Sequence, residues 1–183
     1  KSLSIRSLLI GSQSYGLCKI KNLSKSGDIL STINGLKKLG IKIFFKKKIC
    51  YLHGKGLNGF NYRKKISINA GNSGTFARLL LGLLIRTPYE IKIFGDKSLS
   101  KRDFKRITDP LKEFGANFKS QNKKNLPLKI LGTEFLKPIN YFEKKGSAQC
   151  KSSVILAALN TPGKTLINAK KSRCFKTSWR GPK

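Results

Sequence analysis

At 183 residues, with 39% hydrophobic residues and eleven Phe, the chain has material for one substantial core or two small ones, which excludes a disordered polymer despite a net charge of +31. Lys and Arg total 39 against 8 acids, a balance that on its face suggests a polyanion partner. Most of these cations are lysines scattered among Asn and Ile along the whole chain, as AT-rich coding bias produces, and no Arg and aromatic interleaving accompanies them, so nucleic acid is not the expected partner.

The first segment, Lys1 to Ser14, reads as a helix with apolar residues at Leu3, Ile5, Leu8, Leu9 and Ile10, Ser2 as its N-cap and Arg6 one turn later. Leu17 to Leu23 reads as a strand, and Ile29 to Leu39 as a second helix stopped by Gly40. Alternating runs around Ile41 to Phe45 and Ile49 to Leu52 predict a hairpin, and Gly54 to Gly59 a loop. A short strand, Lys65 to Asn69, then leads into Gly71-Asn72-Ser73-Gly74-Thr75-Phe76-Ala77-Arg78, which opens an apolar helix, Leu79 to Leu84. The two glycines and two hydroxyls at this junction fit either a phosphate on the helix N-terminus or a capped helix start that binds nothing. Tyr89 to Phe94 follows as a strand, Gly95 to Ser98 as a turn, and a helix ends at Leu111 to Gly115. Strands are predicted at Asn117 to Ser120, Leu126 to Leu131 and Thr165 to Ala169, and Ile139 to Phe142 leads into a helix over Ala148 to Leu159.

This order repeats. Ile10-Gly11 returns as Leu81-Gly82 after 71 residues, and Leu36 to Gly40 returns as Leu111 to Gly115 after 75. A third copy begins at Leu156-Ala157. Its helix-ending glycine would fall near position 190, so the spacing predicts truncation; the tail from Cys174 to Lys183 lacks the required periodicity and is read as frayed or as having left the parent frame. The chain opens on Lys1 and contains no Met, from which a missing start is also expected.

Three comparable helix starts result: Lys1-Ser2 with Arg6, Asn72 to Thr75 with Arg78, and Ser147-Ala148-Gln149 with Lys151. Packed around a pseudo-axis, they would form one basin of positive potential suited to a phosphorylated acid, with Lys101-Arg102 between them; the alternative is one cap reused three times. Asp28 and Asp103 are repeat-equivalent, which favours capping roles, and no pair of acids has the setting of a general acid and base. His53 falls in the glycine-rich loop as a solvated side chain. Cys18, Cys50, Cys150 and Cys174 are too scattered for a metal site and fit small buried side chains in a reducing compartment. No run reaches membrane-spanning length and no signal-peptide pattern opens the chain, so the expected location is cytoplasmic, away from any membrane.

Lys1 to Arg6, Gly71 to Thr75 with Arg78, Gly95 to Arg102, and Gly146 to Gln149 together resemble the 5-enolpyruvylshikimate-3-phosphate synthases (3-phosphoshikimate 1-carboxyvinyltransferases), collinearly to Arg173. The resemblance implies an inside-out α/β barrel domain of βαβαββ units, two complete and a third truncated over residues 1–173, with substrates bound against a second domain that this chain lacks. It implies transfer of the enolpyruvyl group of phosphoenolpyruvate to the 5-hydroxyl of shikimate 3-phosphate in aromatic amino acid biosynthesis, with no metal or organic cofactor. Carried over by position, Lys1 would touch both substrates, and Ser2, Arg6, Ser147, Ala148, Gln149 and Arg173 would hold shikimate 3-phosphate. Asn72, Gly74, Arg102 and Gln149 would hold phosphoenolpyruvate. The catalytic carboxylates are expected in the second domain, so the chain alone is expected to be inactive. Gly74 stands where glyphosate-tolerant relatives carry Ala. After Arg173 the family pattern gives way to Cys174-Phe175-Lys176, and the carry-over stops. Two alternatives remain: the related UDP-N-acetylglucosamine enolpyruvyl transferases, which have Lys-Asn in place of Lys1-Ser2 and a reactive loop cysteine that has no well-placed counterpart here, and a basic nucleic-acid-binding domain, which rests on charge alone.

Overall fold

The computed structural model describes residues 1–63, 65–120, 125–144 and 146–169, and the backbone of 177–180. Helix α1 (Ser2–Gln13) leads to β1 (Tyr15–Ile20), α2 (Gly27–Lys38) and a hairpin of β2 (Lys42–Lys46) and β3 (Ile49–Lys55). The second unit runs β4 (Ile66–Asn69), α3 (Gly74–Leu83), β5 (Ile91–Phe94), a short α4 (Lys97–Ser100), α5 (Lys105–Glu113), β6 (Asn117–Ser120) and β7 (Leu128–Leu131). The third has β8 (Asn140–Glu143), α6 (Ala148–Ala158), β9 (Lys164–Ala169) and β10 (Thr177–Arg180).

The sheets repeat as the sequence does. Their strand orders are β1-β3-β2, β4-β5-β7-β6 and β10-β9-β8. β5-β7-β6 therefore reproduces β1-β3-β2. β4 lies parallel to β5 across α3, and β8 lies parallel to β9 across α6. The second unit has every element of the βαβαββ pattern, with the short α4 added between β5 and α5, and the first described element of the chain is α1. The backbone of 177–180, in the tail assigned no element above, pairs antiparallel with β9.

Helices fill the interior and sheets face outward. In α3 eight of ten residues are buried, because it packs against α1 and α2 on one side and α5 and α6 on the other. Gly82 allows the closest approach: an added Cβ would stand 2.2 Å from Ser153 O of α6. The apolar face of α1 is Ile5, Leu8 and Leu9; Leu3 and Ile10, grouped with them by hydrophobicity, lie seven residues apart on its exposed side.

Gly40 ends α2 as its sequence position predicts. At φ +83° it takes the left-handed conformation that spares glycine a Cβ clash, while its N–H donates to Lys37 O and that of Ile41 to Leu36 O. Gly115, its repeat mate, has φ +112° and donates to Lys112 O. His53 lies in β3, exposed beside the Phe44 ring, and not in a loop. Among the described residues, no helix is long and apolar enough to cross a membrane.

Candidate functional site

Hydrogen bonds between helices define where the three N-termini lie. Gln149 Nε2, on the second residue of α6, donates to Thr75 Oγ1, on the second residue of α3, at 3.1 Å. Ser153 Oγ donates to Arg78 O at 2.9 Å. Arg6 Nη2, on the fifth residue of α1, donates to Ser152 Oγ, on the fifth of α6, at 3.3 Å. The two α3–α6 bonds run in the same order along both helices, and Arg6, Leu9 and Ile10 of α1 line one groove with Ser152, Ile155 and Leu156 of α6, so the three helices run parallel with level ends. The positive ends of three helix dipoles are thereby gathered on one side of the molecule. Counted from the helix starts, one assignment is corrected: Ser152, not Lys151, is the fifth residue of its helix, as Arg6 and Arg78 are of theirs.

At the α3 start, the turn between Ala70 and Gly74 is tied to the segment after β5. Asp96 is the hub. Its N–H donates to Gly71 O at 2.9 Å, its Oδ1 accepts from Leu99 N at 2.7 Å to cap α4, and its Oδ2 accepts from Asn72 Nδ2 at 2.7 Å. Asn72 Oδ1 in turn accepts from Arg102 Nη2 at 2.8 Å, so a carboxylate on one side and a guanidinium on the other fix its amide. Gly74 lies under Arg102, with only 3.0 Å between the site of an added Cβ and Nη1. Asn72, Gly74 and Arg102 are thus brought together as expected. The segment 95–98, expected to be a turn, instead opens α4, because Asp96 supplies the cap.

Ser73 caps α3, its Oγ accepting from Phe76 N at 3.3 Å. Arg78, half-buried one turn on, donates from Nη1 to Gln149 Oε1 at 2.6 Å and from Nη2 to Asp103 O at 3.4 Å, with its guanidinium 5.4 Å from the Phe104 ring centroid. Burial lowers its pKa from the ordinary value, yet an arginine stays cationic. With Thr75 it holds both ends of the Gln149 amide.

On the third side, Ser147 Oγ caps α6 by accepting from Cys150 N at 3.3 Å, and Ala148 is exposed beside it. Lys1 is paired with Asp28, Nζ to Oδ2 at 2.9 Å, so Asp28 neutralises a predicted ligand contact in addition to occupying the first turn of α2. Ser2 is the first helical residue and not the N-cap: that position falls on Lys1, and the Ser2 hydroxyl accepts from Arg6 Nη1 instead. Asp103 does act at a helix start, accepting from Lys105 N at 2.6 Å. Arg173 lies outside the described residues.

Sequence reasoning missed Asp96 as the link between Asn72 and α4, and Ser152 as the partner of Arg6. The signal for Ser152 was present in the repeat, whose offsets of 71 and 75 residues take Arg6 through Ala77 to Ser152. Among the described residues, no cluster of three or more His, Cys, Asp or Glu could hold a metal ion, and Cys18, Cys50 and Cys150 are free.

The family model described as EPSP synthase (3-phosphoshikimate 1-carboxyvinyltransferase) matches residues 1–174. The chain belongs to the EPSP synthase family. A 3-phosphoshikimate 1-carboxyvinyltransferase of Caldicellulosiruptor saccharolyticus is 44% identical over 171 residues, and that of Vesicomyosocius okutanii 41% over 167. Each alignment covers 91% of this chain and 38% of the relative, so the chain spans well under half the length of these EPSP synthases. An EPSP synthase structure from Acinetobacter baumannii superposes with a TM-score of 0.91 at 30% identity, over 99% of this chain and 45% of that one.

Proposed function

We propose that this chain is the part of an EPSP synthase that holds shikimate 3-phosphate and phosphoenolpyruvate side by side for enolpyruvyl transfer. The observation that carries the reading is the gathering of three level helix N-termini with Arg6, Arg102 and the Asn72–Gly74 turn. Two phosphorylated, carboxylate-bearing substrates repel one another; fixed guanidinium groups and oriented backbone N–H groups offset that repulsion without reorganising during the reaction.

In this reading Gly74 and Arg102 receive phosphoenolpyruvate, and Asn72 aims Arg102. Arg6, Ser2, Ser147, Ala148 and Arg173 receive shikimate 3-phosphate. Lys1 and Gln149 stand between the two, with Lys1 exchanging Asp28 for a ligand oxygen. The 5-hydroxyl of shikimate 3-phosphate gives up its proton and adds through oxygen to C2 of phosphoenolpyruvate as a proton is delivered to C3. Loss of phosphate and of a C3 proton then restores the double bond. The groups that move those protons lie in the remainder of the enzyme, so this chain binds and does not turn over.

Calorimetry of the 183-residue chain with shikimate 3-phosphate tests the reading, with heat expected for the unmodified chain and affinity about ten- to hundredfold weaker in Arg6→Ala, the loss of one charge-assisted contact. No binding by the unmodified chain, or an Arg6→Ala variant that binds equally well, would refute it. Steady phosphate release from the chain with both substrates would refute the division of labour.

A further inference from the structure

The outer face of the four-stranded sheet carries an arrangement the substrate site does not use. Ile91, Ile93, Leu128 and Ile130 are buried toward the helices, so the alternating residues of β5 and β7 point outward. In register across three strands stand Lys92, Lys129 and Lys119, each directly opposite the next. Strand spacing brings the ends of this row within about 10 Å, and like charges placed directly opposite oppose sheet formation. Glu90 Oε1 lies 3.0 Å from Lys129 Nζ, the one ion pair of this patch among the described residues. Its carboxyl is held below the usual range by the Lys129 hydrogen bond first, with the charges of Lys65 and Lys119 acting in the same direction. One carboxylate thus answers several ammonium groups.

Lys92, Lys119 and Lys129 line a shallow pocket of about 280 Å³ with Ser120 and Pro127. We propose that this pocket is a second anion site, separate from the substrate site, that takes a compact oligophosphate. Among the described residues its lining holds no aromatic side chain on which a base would stack, which disfavours single-stranded nucleic acid. The lysine row also ends at β4, where Ser67 stands opposite Lys92 and its carbonyl accepts from Lys38 Nζ at 2.7 Å. A short chain of phosphates matches a short row of cations. Inorganic oligophosphate and the phosphate chain of a nucleotide present the same chemistry to it.

The test is a titration of the full chain with tripolyphosphate at constant ionic strength, followed by calorimetry and by thermal melting. Binding tighter than about 1 mM is expected, together with a raised Tm. Replacing two ammonium groups in the variant Lys92→Gln/Lys119→Gln, which keeps the Lys129–Glu90 pair, should weaken binding about tenfold. Its Tm without tripolyphosphate should be unchanged or higher, since a repulsion is removed, so misfolding would be recognised. Arg102→Ala, altered in the substrate site, should leave tripolyphosphate affinity unchanged. ATP binding as well as tripolyphosphate assigns the pocket to phosphate chains of either source, and exclusion of ATP assigns it to the inorganic chain. Absence of binding by the unmodified chain, equal binding by the double-lysine variant, loss of binding in Arg102→Ala, or tighter binding of oligothymidylate or AMP than of tripolyphosphate would each overturn the proposal.

Discussion

A methyl group added at Gly74 would stand 3.0 Å from Arg102 Nη1 and 3.6 Å from a Leu99 methyl, so Gly74→Ala requires the guanidinium to give way by a few tenths of an ångström while the backbone stays as it is. The expected outcome is a Tm close to that of the unmodified chain and weaker phosphoenolpyruvate binding with shikimate 3-phosphate affinity retained, measured by calorimetry with each ligand separately. Asp96→Ala should do more damage, because one carboxylate caps α4 and orients Asn72. Loss of the cap costs about 1 kcal/mol in denaturant unfolding, and phosphoenolpyruvate binding should fall with it as Asn72 ceases to aim Arg102. Arg78→Lys retains the charge but not the planar fork that reaches Gln149 and Asp103 together. The prediction is a defect in binding the second substrate once the first is bound, since Gln149 stands between them; unchanged ternary binding would show that Thr75 alone suffices to hold the amide.

Helices α1 and α3 are repeat mates whose aligned glycines meet different surroundings. An added Cβ at Gly11 meets nothing nearer than a Leu52 methyl at 3.7 Å, whereas at Gly82 it meets the Ser153 carbonyl at 2.2 Å. Gly11→Ala should stabilise the chain by about 0.5–1 kcal/mol through helix propensity, and Gly82→Ala should destabilise it by about 1–3 kcal/mol or more as α6 is pushed away. Urea unfolding of the two variants checks both signs. This contrast marks the limit of what the sequence discloses. Helix and strand order, the Gly40 and Gly115 stops and the grouping of Asn72, Gly74 and Arg102 follow from periodicity, turn chemistry and motif resemblance, all of which act locally or were carried by whole motifs. The Gly82–Ser153 approach and the Lys1–Asp28 pair depend on which elements become neighbours, and the residues alone carry no record of that. Asp96 was misread for a related reason: Gly-Asp-Lys-Ser serves as a turn or as a capped helical turn, and the pairing of Asp96 with Asn72, 24 residues away, goes with the helix.

With 39 basic residues against 8 acids, the whole molecule repels itself, and only two ion pairs occur among the described residues. Screening acts on exposed charges beyond about 10 Å at 0.1 M salt, so Tm should rise as sodium chloride is raised from low to moderate concentration; a Tm that falls would mean that the few ion pairs outweigh the general repulsion. The position of α3 has a consequence for how the chain comes apart. Repeated units in an open array touch only their immediate neighbours and can melt one at a time. Here the middle helix is buried against α1 and α2 of the unit before it and α6 of the unit after it, and the first and third units also meet directly, where Arg6 of α1 donates to Ser152 of α6. Removing any one unit would strip a wall from the core of another, which makes the repeat a record of construction and not a set of separable parts, and the chain should unfold in a single cooperative step.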